Sequence, residues 1–266
     1  MTACRMSSSA NTVGRVQTRS GAEVDIDGGV VVKLHRPATD PQALETRLRI
    51  AARLDCFLSP LSTQPDRAGS RWRTRWPKVA TVQQNPDQVP WPNAARLLAR
   101  LHSHTFDEPL DHGGRQRLRR ALGSLPDTSA SATIRRAAAT LPDRIWDTPQ
   151  RTLVHGDWHL GQIGWRAGEW LLIDIDDLGG GHPAWDLARP AGFWAAGVLP
   201  DADWAAFLDA YREAGGNALR SAPADPWPVL DPFARAAVIV AAAGGVIAGI
   251  GDETAEALVE ACGRMR

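Results

Sequence analysis

The sequence predicts an α+β fold of two lobes, a small antiparallel β-sheet lobe with one helix and a larger, mainly helical lobe. Three observations lead to this prediction. Strand-like segments joined by tight turns fill residues 13–34, apolar residues at helical spacing dominate after residue 92, and a proline-rich segment separates the two patterns. The 266 residues suffice for such a division. We assign residues 1–85 to the small lobe and residues 86–266 to the large lobe.

The small lobe begins with a meander of short strands. Two tight turns divide the segment 13–34 into three strand-like pieces. A helix follows, N-capped by Asp40, in which Leu44, Leu48 and Leu54 recur at helical spacing. The small lobe is therefore predicted to contain one helix.

The next segments complete the small lobe and lead into the large one. "RWRTRW" over residues 71–76 alternates arginines with other side chains, as a half-buried strand requires, although an Arg/Trp stretch is also compatible with nucleic-acid binding. The proline-rich segment 83–92 is the best candidate for a linker, and "NAARLLARLHSH" after it is typical of a helix. We interpret the basic run 115–120 as a solvated helix face and expect no nucleic-acid partner.

The overall composition is that of an ordinary globular protein, with 44% hydrophobic residues. Cys4, Cys56 and Cys262 are widely spaced and form no C-x-x-C pair, which argues against a disulfide framework and a zinc knuckle. No apolar segment of signal-peptide length stands at the amino terminus, and the apolar stretch 236–250 is shorter than the roughly 20 residues that span a membrane. We therefore expect a cytoplasmic protein without a membrane partner, with residues 236–250 in a buried helix.

Charges are distributed unevenly along the chain, although the formal net charge is zero. Residues 1–155 carry 23 Lys and Arg against 14 Asp and Glu, and residues 156–266 carry 7 against 16. This asymmetry suits a polyanionic ligand, but two unrelated solvated surfaces explain it equally well. The chain contains two lysines, Lys33 and Lys78, so the position of each is informative.

A polar loop, residues 155–162, lies between two apolar runs near the middle of the large lobe. The surrounding sequence is "LVHGDWHLGQIGWR", and the loop contains His155, Asp157, His159 and Gln162 within eight positions. The composition of this loop is compatible with a metal site, with an acid/base site, and with a polar loop that is simply rich in histidine.

A predicted hairpin follows the polar loop. Strand-like segments stand on both sides of a two-residue turn at 167–168. Counting back from the turn places Gln162 opposite Ile173. The hairpin therefore returns Asp174 to the neighbourhood of the polar loop.

Oxygen ligands converge at this end of the hairpin. Asp157 and Asp174 repel each other when both are ionised, unless a cation lies between them. Together with the amide oxygen of Gln162 they form the all-oxygen set that Mg²⁺ prefers, and Asp176 and Asp177 add further carboxylates. We expect Gln162 and Asp174 to hold Mg²⁺.

Phosphoryl transfer is the chemistry that this set suits. It needs a metal on the nucleotide phosphates, a lysine on the same phosphates, and a carboxylate that receives the proton of the acceptor hydroxyl. Asp157 is the candidate base. Lys33 ends the third predicted strand, and Glu45, the only Glu between residues 24 and 107, is placed to pair with it. We predict that Lys33, held by Glu45, binds the phosphates of ATP or GTP.

Three motifs in this order carry a family resemblance. They are His155-Gly156-Asp157 followed by Gln162, then Ile173-Asp174, then "GGHPAWDLA" over residues 180–188. With them the chain resembles the aminoglycoside phosphotransferase and choline kinase-like family, small-molecule kinases with a protein-kinase-like fold. The resemblance extends from Lys33 to the carboxyl-terminal helices. It implies a phosphotransferase that uses ATP or GTP with Mg²⁺ and acts on an alcohol group.

The resemblance also implies roles for individual residues. Asp157 is the catalytic base and Asp174 the principal metal ligand. His155 and Asp186 support the catalytic loop structurally. The region from Val82 to Val89 forms the hinge that hydrogen-bonds the purine through its backbone.

The sequence departs from the family pattern at three points, and the last of them favours an alternative. Gln162 stands where Asn is commoner, and Asp176 stands where protein kinases have the Gly of Asp-Phe-Gly, so that Asp176 can touch metal as well. Residues 7–32 contain no G-x-G-x-x-G loop for the phosphates. A catalytically silent, kinase-like nucleotide-binding protein is therefore the alternative to an active kinase.

The carboxyl-terminal helices form the acceptor pocket in this family, and here that region is acidic. Its six carboxylates are Asp201, Asp203, Asp209, Glu213, Asp225 and Asp231. An acidic wall suits a cationic acceptor such as an amino sugar or an aminoglycoside, whereas solvated helix faces leave a neutral sugar open. We expect a sugar-like acceptor.

A metal-dependent hydrolase is a further alternative, because His155 and His159 are four residues apart and His182 lies nearby. It leaves the oxygen-ligand set and the lysine unexplained. The tryptophans near the polar loop are interpreted as core residues, although Trp158 follows the predicted base directly and can border the acceptor pocket.

Overall fold

The structure of the chain is a computed structural model that describes residues 16–17, 21–82, 89–147 and 151–266. It divides into two compact units. The first comprises Met1–Arg53 and Leu58–Val79, and the second comprises Leu54–Phe57 and Ala80–Arg266. The predicted lobe boundary between residues 85 and 86 and most of the predicted hinge fall on residues 83–88, outside the described residues.

In its described residues the first unit consists of a five-stranded antiparallel sheet and one helix. The strands are β1 (Val16–Gln17), β2 (Glu23–Asp27), β3 (Val30–Leu34), β4 (Asp66–Ala68) and β5 (Arg71–Pro77), in the spatial order β1-β2-β3-β5-β4. Lys33 is opposite Val24 on one side and Thr74 on the other, so these three side chains share one face. The predicted meander is confirmed where it is described, whereas β4 has no counterpart in the prediction.

Strand β5 has the predicted alternation. Thr74 and Trp76 are buried, and the Trp76 Nε1–H donates to Thr74 Oγ1 at 2.9 Å. On the opposite face, Arg71 pairs with Glu23 of β2 at 2.5 Å, and the other two arginines pair with Asp66 of β4. Because carboxylates of the same sheet engage these arginines, the half-buried strand accounts for them without a nucleic-acid ligand.

Helix α1 (Pro41–Arg53) begins as predicted. The Asp40 carboxylate accepts a hydrogen bond from a backbone N–H of the first turn at 3.0 Å. Leu44 and Leu48 lie on its buried face. The helix ends one residue before Leu54, which the spacing places on the same face.

The second unit contains most of the helical residues. Its α-helices in the described part are α2 (Trp91–His102), α3 (Gly114–Gly123), α4 (Ser129–Ala138), α5 (Ala184–Ala195), α6 (Asp201–Glu213), α7 (Trp227–Ile247) and α8 (Glu253–Arg264). Helix α7 packs against α3, α4, α5 and α8, and α2 packs against α6. The larger part of the chain is therefore mainly helical, as predicted.

Helix α7 includes most of the apolar stretch 236–250. In the described residues it is the one helix that is long and apolar enough to cross a membrane. Half of its most apolar window is buried inside the protein, where four helices pack against it. Such packing is typical of a core helix.

Short strands interrupt these helices and carry the polar loop. They are β6 (Ala80–Thr81), β7 (Thr152–Val154), β8 (Ile163–Arg166), β9 (Glu169–Leu172) and β10 (Gly179–Gly181). β7 pairs antiparallel with β10, and β8 pairs antiparallel with both β6 and β9. The polar loop therefore begins at the end of β7 and leads into β8.

The β8–β9 hairpin has the predicted register. Ala167 and Gly168 form its two-residue turn with φ angles of 51° and 90°, and left-handed conformations at both positions match the twist of the strands. The Ile173 N–H donates to the Gln162 carbonyl oxygen at 2.9 Å. The predicted opposition of Gln162 and Ile173 is confirmed.

Candidate active site

The backbone of the polar loop is held by Asp186 of α5. The N–H groups of His155 and Gly156 donate to the two carboxylate oxygens of Asp186 at 2.6 and 2.9 Å. Asp186 is 1% exposed, so these charge-assisted hydrogen bonds form away from water, where they are stronger. The sequence assigns a supporting role to Asp186 and His155, and this contact is the kind that such a role requires.

Two further side chains extend this support across three helices. His102 of α2 is fully buried, with Nε2 3.0 Å from Asp186 Oδ2 and Nδ1 2.7 Å from the Tyr211 hydroxyl. Tyr211 of α6 accepts a hydrogen bond from the Ala218 N–H at 3.1 Å. Sequence reasoning missed both residues. The available sequence signal for His102 was the position of a histidine at the end of an otherwise apolar helix face.

The charge of Asp186 is stabilised by the same network. Burial raises the pKa of Asp186, but the hydrogen bond and positive field of His102, together with His155, more than offset this effect. The pKa of Asp186 therefore lies below its ordinary value. The loop is held by an ionised carboxylate at neutral pH.

Gly156 is required by its conformation and by its surroundings. Its φ angle is 83°, and a Cβ atom there would lie 2.2 Å from the carbonyl oxygen of Asp177. The Gly156 carbonyl oxygen accepts from the Trp185 Nε1–H at 2.8 Å. The backbone of the polar loop therefore packs closely against the segment after β9, and Asp157 is the next residue.

Asp157, the predicted base, pairs with Arg117 of α3. Arg117 Nη2 lies 2.7 Å from Asp157 Oδ2, and the same nitrogen pairs with Asp177. Burial raises the pKa of Asp157 above its ordinary value, and the charges of Arg117 and Arg189 offset part of this rise. The side chain keeps 19% exposure, which leaves it accessible to a ligand.

Arg117 corrects the interpretation of the basic run 115–120 as a solvated face. The other arginines of the run are exposed, whereas Arg117 is 24% exposed and faces the polar loop. The reason is the way α3 begins. The Gly113 N–H donates to the Asp177 carbonyl oxygen at 3.0 Å, and a Cβ atom on Gly114 would collide with a tryptophan ring of α5. This close contact sets which arginine faces Asp157.

The predicted metal ligands lie at the end of the β8–β9 hairpin. The backbone of Gln162 is hydrogen-bonded to Ile173, directly before Asp174. Asp174 has a φ angle of 64°, which is uncommon outside glycine, and its Oδ1 accepts from the Asp176 N–H at 3.0 Å. Such residues are concentrated at functional sites.

The donor set fits Mg²⁺. Proteins hold this ion with one or two carboxylates, while substrate phosphates and waters complete its octahedral shell. Gln162, Asp174 and Asp176 offer one amide oxygen and two carboxylates. The described residues include no group of three His, Cys, Asp or Glu arranged to hold a metal ion by themselves.

Asp177, which the sequence adds to the carboxylates around the metal, has a different position. It is 5% exposed and is the ion-pair partner of Arg117. Its carbonyl oxygen accepts a hydrogen bond from the Gly113 N–H, directly before α3. Asp177 therefore joins α3 to the polar loop.

The histidines of the hydrolase alternative have separate structural contacts. His155 Nε2 lies 2.9 Å from the Ile173 carbonyl oxygen. His159 Nδ1 accepts from the Gly161 N–H at 3.0 Å, and His182 Nδ1 accepts from a backbone N–H at the start of α5 at 3.1 Å. These contacts give the rings backbone partners, and they do not support a shared metal site.

Lys33 and Glu45 lie in the first unit. Lys33 is 9% exposed on β3, beside Thr74. Glu45 is exposed on α1, because it lies about 100° around the helix from the buried Leu44. The structure therefore places Glu45 on the exposed side of α1, and its pairing with Lys33 stays a prediction.

Trp158 packs in the core next to Asp157, as predicted, whereas Trp165, which the same prediction placed in the core, is 44% exposed. Trp158 is 3% exposed, and its ring centroid lies 5.4 Å from that of Phe207. Trp158 also borders a small cavity beside Asp157, whose wall includes Arg117 and Arg189.

The acidic residues of α6 and α7 do not line this cavity. Several have local partners instead. Asp201 accepts from the Trp194 Nε1–H at 2.8 Å, and Asp231 lies 3.8 Å from Arg235. These contacts favour solvated helix faces over an acidic wall next to Asp157.

Comparison with models of protein families matches the phosphotransferase enzyme family over residues 23–233. This range includes Lys33, the polar loop and the β8–β9 hairpin. Comparison with curated proteins finds no match.

Solved structures of several small-molecule kinases share the fold. The choline kinase LicA from Streptococcus pneumoniae has a TM-score of 0.66 at 13% identity, over 95% of this chain and 93% of that one. A choline/ethanolamine kinase family protein from Mesorhizobium loti has a TM-score of 0.61 at 17% identity, over 95% and 87%. The spectinomycin phosphotransferase APH(9)-Ia, solved with ADP and spectinomycin, has a TM-score of 0.57 at 15% identity, over 95% and 91%. At these identities the likeness shows the fold alone, and it confirms the predicted α+β, protein-kinase-like class.

Proposed function

Because this chain belongs to the phosphotransferase enzyme family, we propose that it transfers the terminal phosphate of ATP or GTP to a hydroxyl of a small, sugar-like acceptor. The observation that supports this most strongly is the position of Asp157. It follows Gly156, whose backbone N–H is held by Asp186, and it lies in the polar loop that leads to Gln162 and, across the hairpin, to Asp174. In this proposal the reaction occurs in the cytoplasm, which supplies the nucleotide and Mg²⁺.

Asp157 acts as the general base. Its carboxylate accepts the proton of the acceptor hydroxyl while the hydroxyl oxygen forms a bond to the terminal phosphorus, and the bond from that phosphorus to the leaving nucleoside diphosphate breaks. A raised pKa makes this carboxylate a better proton acceptor than an ordinary aspartate. The ion pair with Arg117 orients one of its oxygens.

Gln162, Asp174 and Asp176 hold Mg²⁺, which neutralises phosphate charge when bound. The Asx-type hydrogen bond from the Asp176 N–H to Asp174 Oδ1 positions the Asp174 side chain for this role. Lys33 binds the phosphates. Glu45, which is exposed on α1, is proposed to pair with Lys33.

The test is nucleoside diphosphate release with Mg-ATP and Mg-GTP over a panel of sugars, sugar acids, sugar phosphates, amino sugars and aminoglycosides. We expect Asp157→Asn to lower turnover by about a hundredfold or more, because it removes the base, and to leave nucleotide binding intact. Asp209→Asn, on an exposed position of α6, is the matched control and is expected to keep full activity.

Two outcomes would contradict the proposal. Activity of Asp157→Asn equal to that of the control would remove Asp157 from the reaction. Nucleotide binding without transfer to any acceptor would identify a silent nucleotide-binding protein, the alternative that the absent G-x-G-x-x-G loop raises.

A further inference from the structure

A small cavity beside Asp157 has a wall of unusual composition. Two arginines, Arg117 of α3 and Arg189 of α5, face it together with the rings of Trp158 and Trp185. All of these residues lie in the second unit. A pocket that borders the base is where the acceptor must place the hydroxyl that reacts.

Arg117 has hydrogen-bonding capacity that the described residues do not use. Its guanidinium group carries five N–H donors, but both of its ion pairs, with Asp157 and Asp177, use Nη2. Its Nε–H is buried and has no acceptor among the described residues. The two N–H groups of Nη1 take part in neither ion pair, so a negatively charged ligand group in the cavity can accept hydrogen bonds from them.

The position of Arg117 is built into the fold. The glycines at the start of α3 allow contacts with Asp177 and Trp185 that any Cβ atom would prevent. The helix therefore approaches the polar loop closely enough for an arginine one turn later to reach the base. An arginine that served only as a solvated surface residue would not require α3 to approach the polar loop this closely.

The electrostatics of the cavity disfavour a cationic acceptor at this point. Arg189 adds a second positive charge, which offsets part of the rise that burial causes in the pKa of Asp157. The cavity wall holds these two guanidinium groups and one carboxylate, that of Asp157, so its side chains carry a net positive charge. A ligand carboxylate or phosphate group is attracted by both guanidinium groups, whereas a ligand ammonium group is repelled by them and attracted only by Asp157. The acidic residues of α6 and α7 lie outside this cavity wall and do not reverse the preference.

We propose that the acceptor carries an anionic group, a carboxylate or a phosphate, that Arg117 and Arg189 bind while the neighbouring hydroxyl faces Asp157. The tryptophan rings then contact the apolar face of the carbon skeleton. The acceptor class is thus a hydroxylated acid or a phosphorylated sugar rather than an amino sugar. This inference rests on the proposed function and specifies its substrate.

The first test compares acceptors that share one carbon skeleton, namely the neutral sugar, the sugar acid, the sugar phosphate and the amino sugar. We expect kcat/KM for the acid or the phosphate to exceed that for the neutral and amino sugars by about tenfold or more. Which of the two anions is preferred distinguishes a carboxylate from a phosphate acceptor. A higher kcat/KM for the amino sugar would overturn the inference and leave the proposed phosphotransferase standing.

The second test uses variants. Arg189→Met and Arg117→Met are each expected to lower the ratio of kcat/KM for the anionic acceptor to that for the neutral acceptor by about tenfold, mainly through KM. Arg119→Met, on the exposed side of α3, is the matched control and keeps the ratio. If the arginines only position Asp157, kcat falls equally for every acceptor and the ratio is unchanged, which overturns the inference. Arg189→Met keeps this test valid if Arg117→Met does not fold.

Calorimetry without nucleotide separates this inference from the proposed function. The wild-type protein is expected to bind the sugar acid or sugar phosphate more tightly than the amino sugar, and Arg189→Met is expected to lose that preference. Binding of this kind without any transfer would refute the proposed function but support the anion site. Equal or tighter binding of the amino sugar, or no binding of either anion, would overturn the anion site.

Discussion

Two opposing effects set the pKa of Asp157, the residue that we propose as the general base. Burial raises the pKa of Asp157, so that its carboxylate binds a proton more readily. The positive charges of Arg117 and Arg189 act in the opposite direction and preserve the ionised form. The sequence predicts the carboxylate, but the balance depends on residues that are distant in the chain.

Gly156 allows a sharp prediction at the scale of one residue. Gly156→Ala is expected to abolish activity and to destabilise the second unit by well over the roughly 1–2 kcal/mol that a left-handed conformation costs an L-residue. The additional loss arises because the new Cβ would lie 2.2 Å from the Asp177 carbonyl oxygen. Thermal unfolding and turnover measure the two effects.

The control for this prediction is another glycine with a positive φ angle. Gly168 has a φ of 90° but no atom within 4 Å of the position of its Cβ. Gly168→Ala therefore pays the conformational cost without the collision and is expected to keep its activity. Equal effects of the two substitutions would show that the close contact of the polar loop is not important.

Which single residues could be predicted depends on how local their signals are. Asp157, Gln162 and Asp174 stand at fixed distances from a loop and a two-residue turn, so their grouping follows from the sequence. Arg117 is one of four arginines in a six-residue run, and only the packing of α3 decides which of them faces inward. His102 becomes recognisable as a loop support only when Asp186 is seen beside it.

At the scale of elements, the β8–β9 hairpin was predictable because its turn length determines its register. A two-residue turn leaves one pairing, and that pairing brings Gln162 opposite Ile173. Helix α1 shows the limit of such reasoning. Its apolar spacing predicts the helix, and the same periodicity places Glu45 outside the buried face, but the spacing does not determine which side chain Glu45 contacts.

A substitution in the turn of the β8–β9 hairpin is expected to stabilise the protein. Ala167 has a φ of 51°, which Asn tolerates better than Ala, and Asn-Gly is the preferred pair for this kind of turn. Ala167→Asn is expected to raise the free energy of unfolding by on the order of 0.5–1 kcal/mol, as measured by urea denaturation. Its side chain is exposed at the hairpin tip, so kcat/KM is expected to stay unchanged.

Ala167→Val tests the same argument in the opposite direction. A β-branched residue is the least compatible with a positive φ angle, so this variant is expected to be less stable than the wild-type protein. If the Val variant were as stable as the Asn variant, the turn would not set the stability of the hairpin.

For the whole molecule, the family match confirms the resemblance drawn from three motifs and the enzyme class of phosphotransferase. The motifs were sufficient because each contributes to the polar loop or to its support. The third motif contains Asp186, whose carboxylate connects the loop to α5 and, through His102 and Tyr211, to α2 and α6. The sequence predicts this acid but not the helices that it joins.

The network around Asp186 predicts how stability depends on pH. Its pKa in the folded protein lies below the ordinary value of 3.8, so its ionised form stabilises the fold. This contribution is fully present above the pKa of the unfolded chain and is lost as the pH falls through the lower pKa of the folded protein. Asp186→Asn removes it and leaves His102 without its charged partner. We expect the free energy of unfolding of this variant to be about 3–5 kcal/mol lower than that of the wild-type protein at pH 7. As the pH falls below the ordinary pKa, the difference between the two proteins is expected to become smaller.

Urea denaturation at a series of pH values from neutral to acidic measures this convergence, with Asp209→Asn as an exposed control expected to change stability little at any pH. His102→Gln keeps a hydrogen-bonding side chain beside Asp186 and is expected to lose less stability than Asp186→Asn, because the backbone N–H groups of the polar loop still bind the carboxylate. A stability difference between Asp186→Asn and the wild-type protein that stays constant down to acid pH would mean that hydrogen-bond geometry, rather than the charge of Asp186, holds the loop and its three helices together.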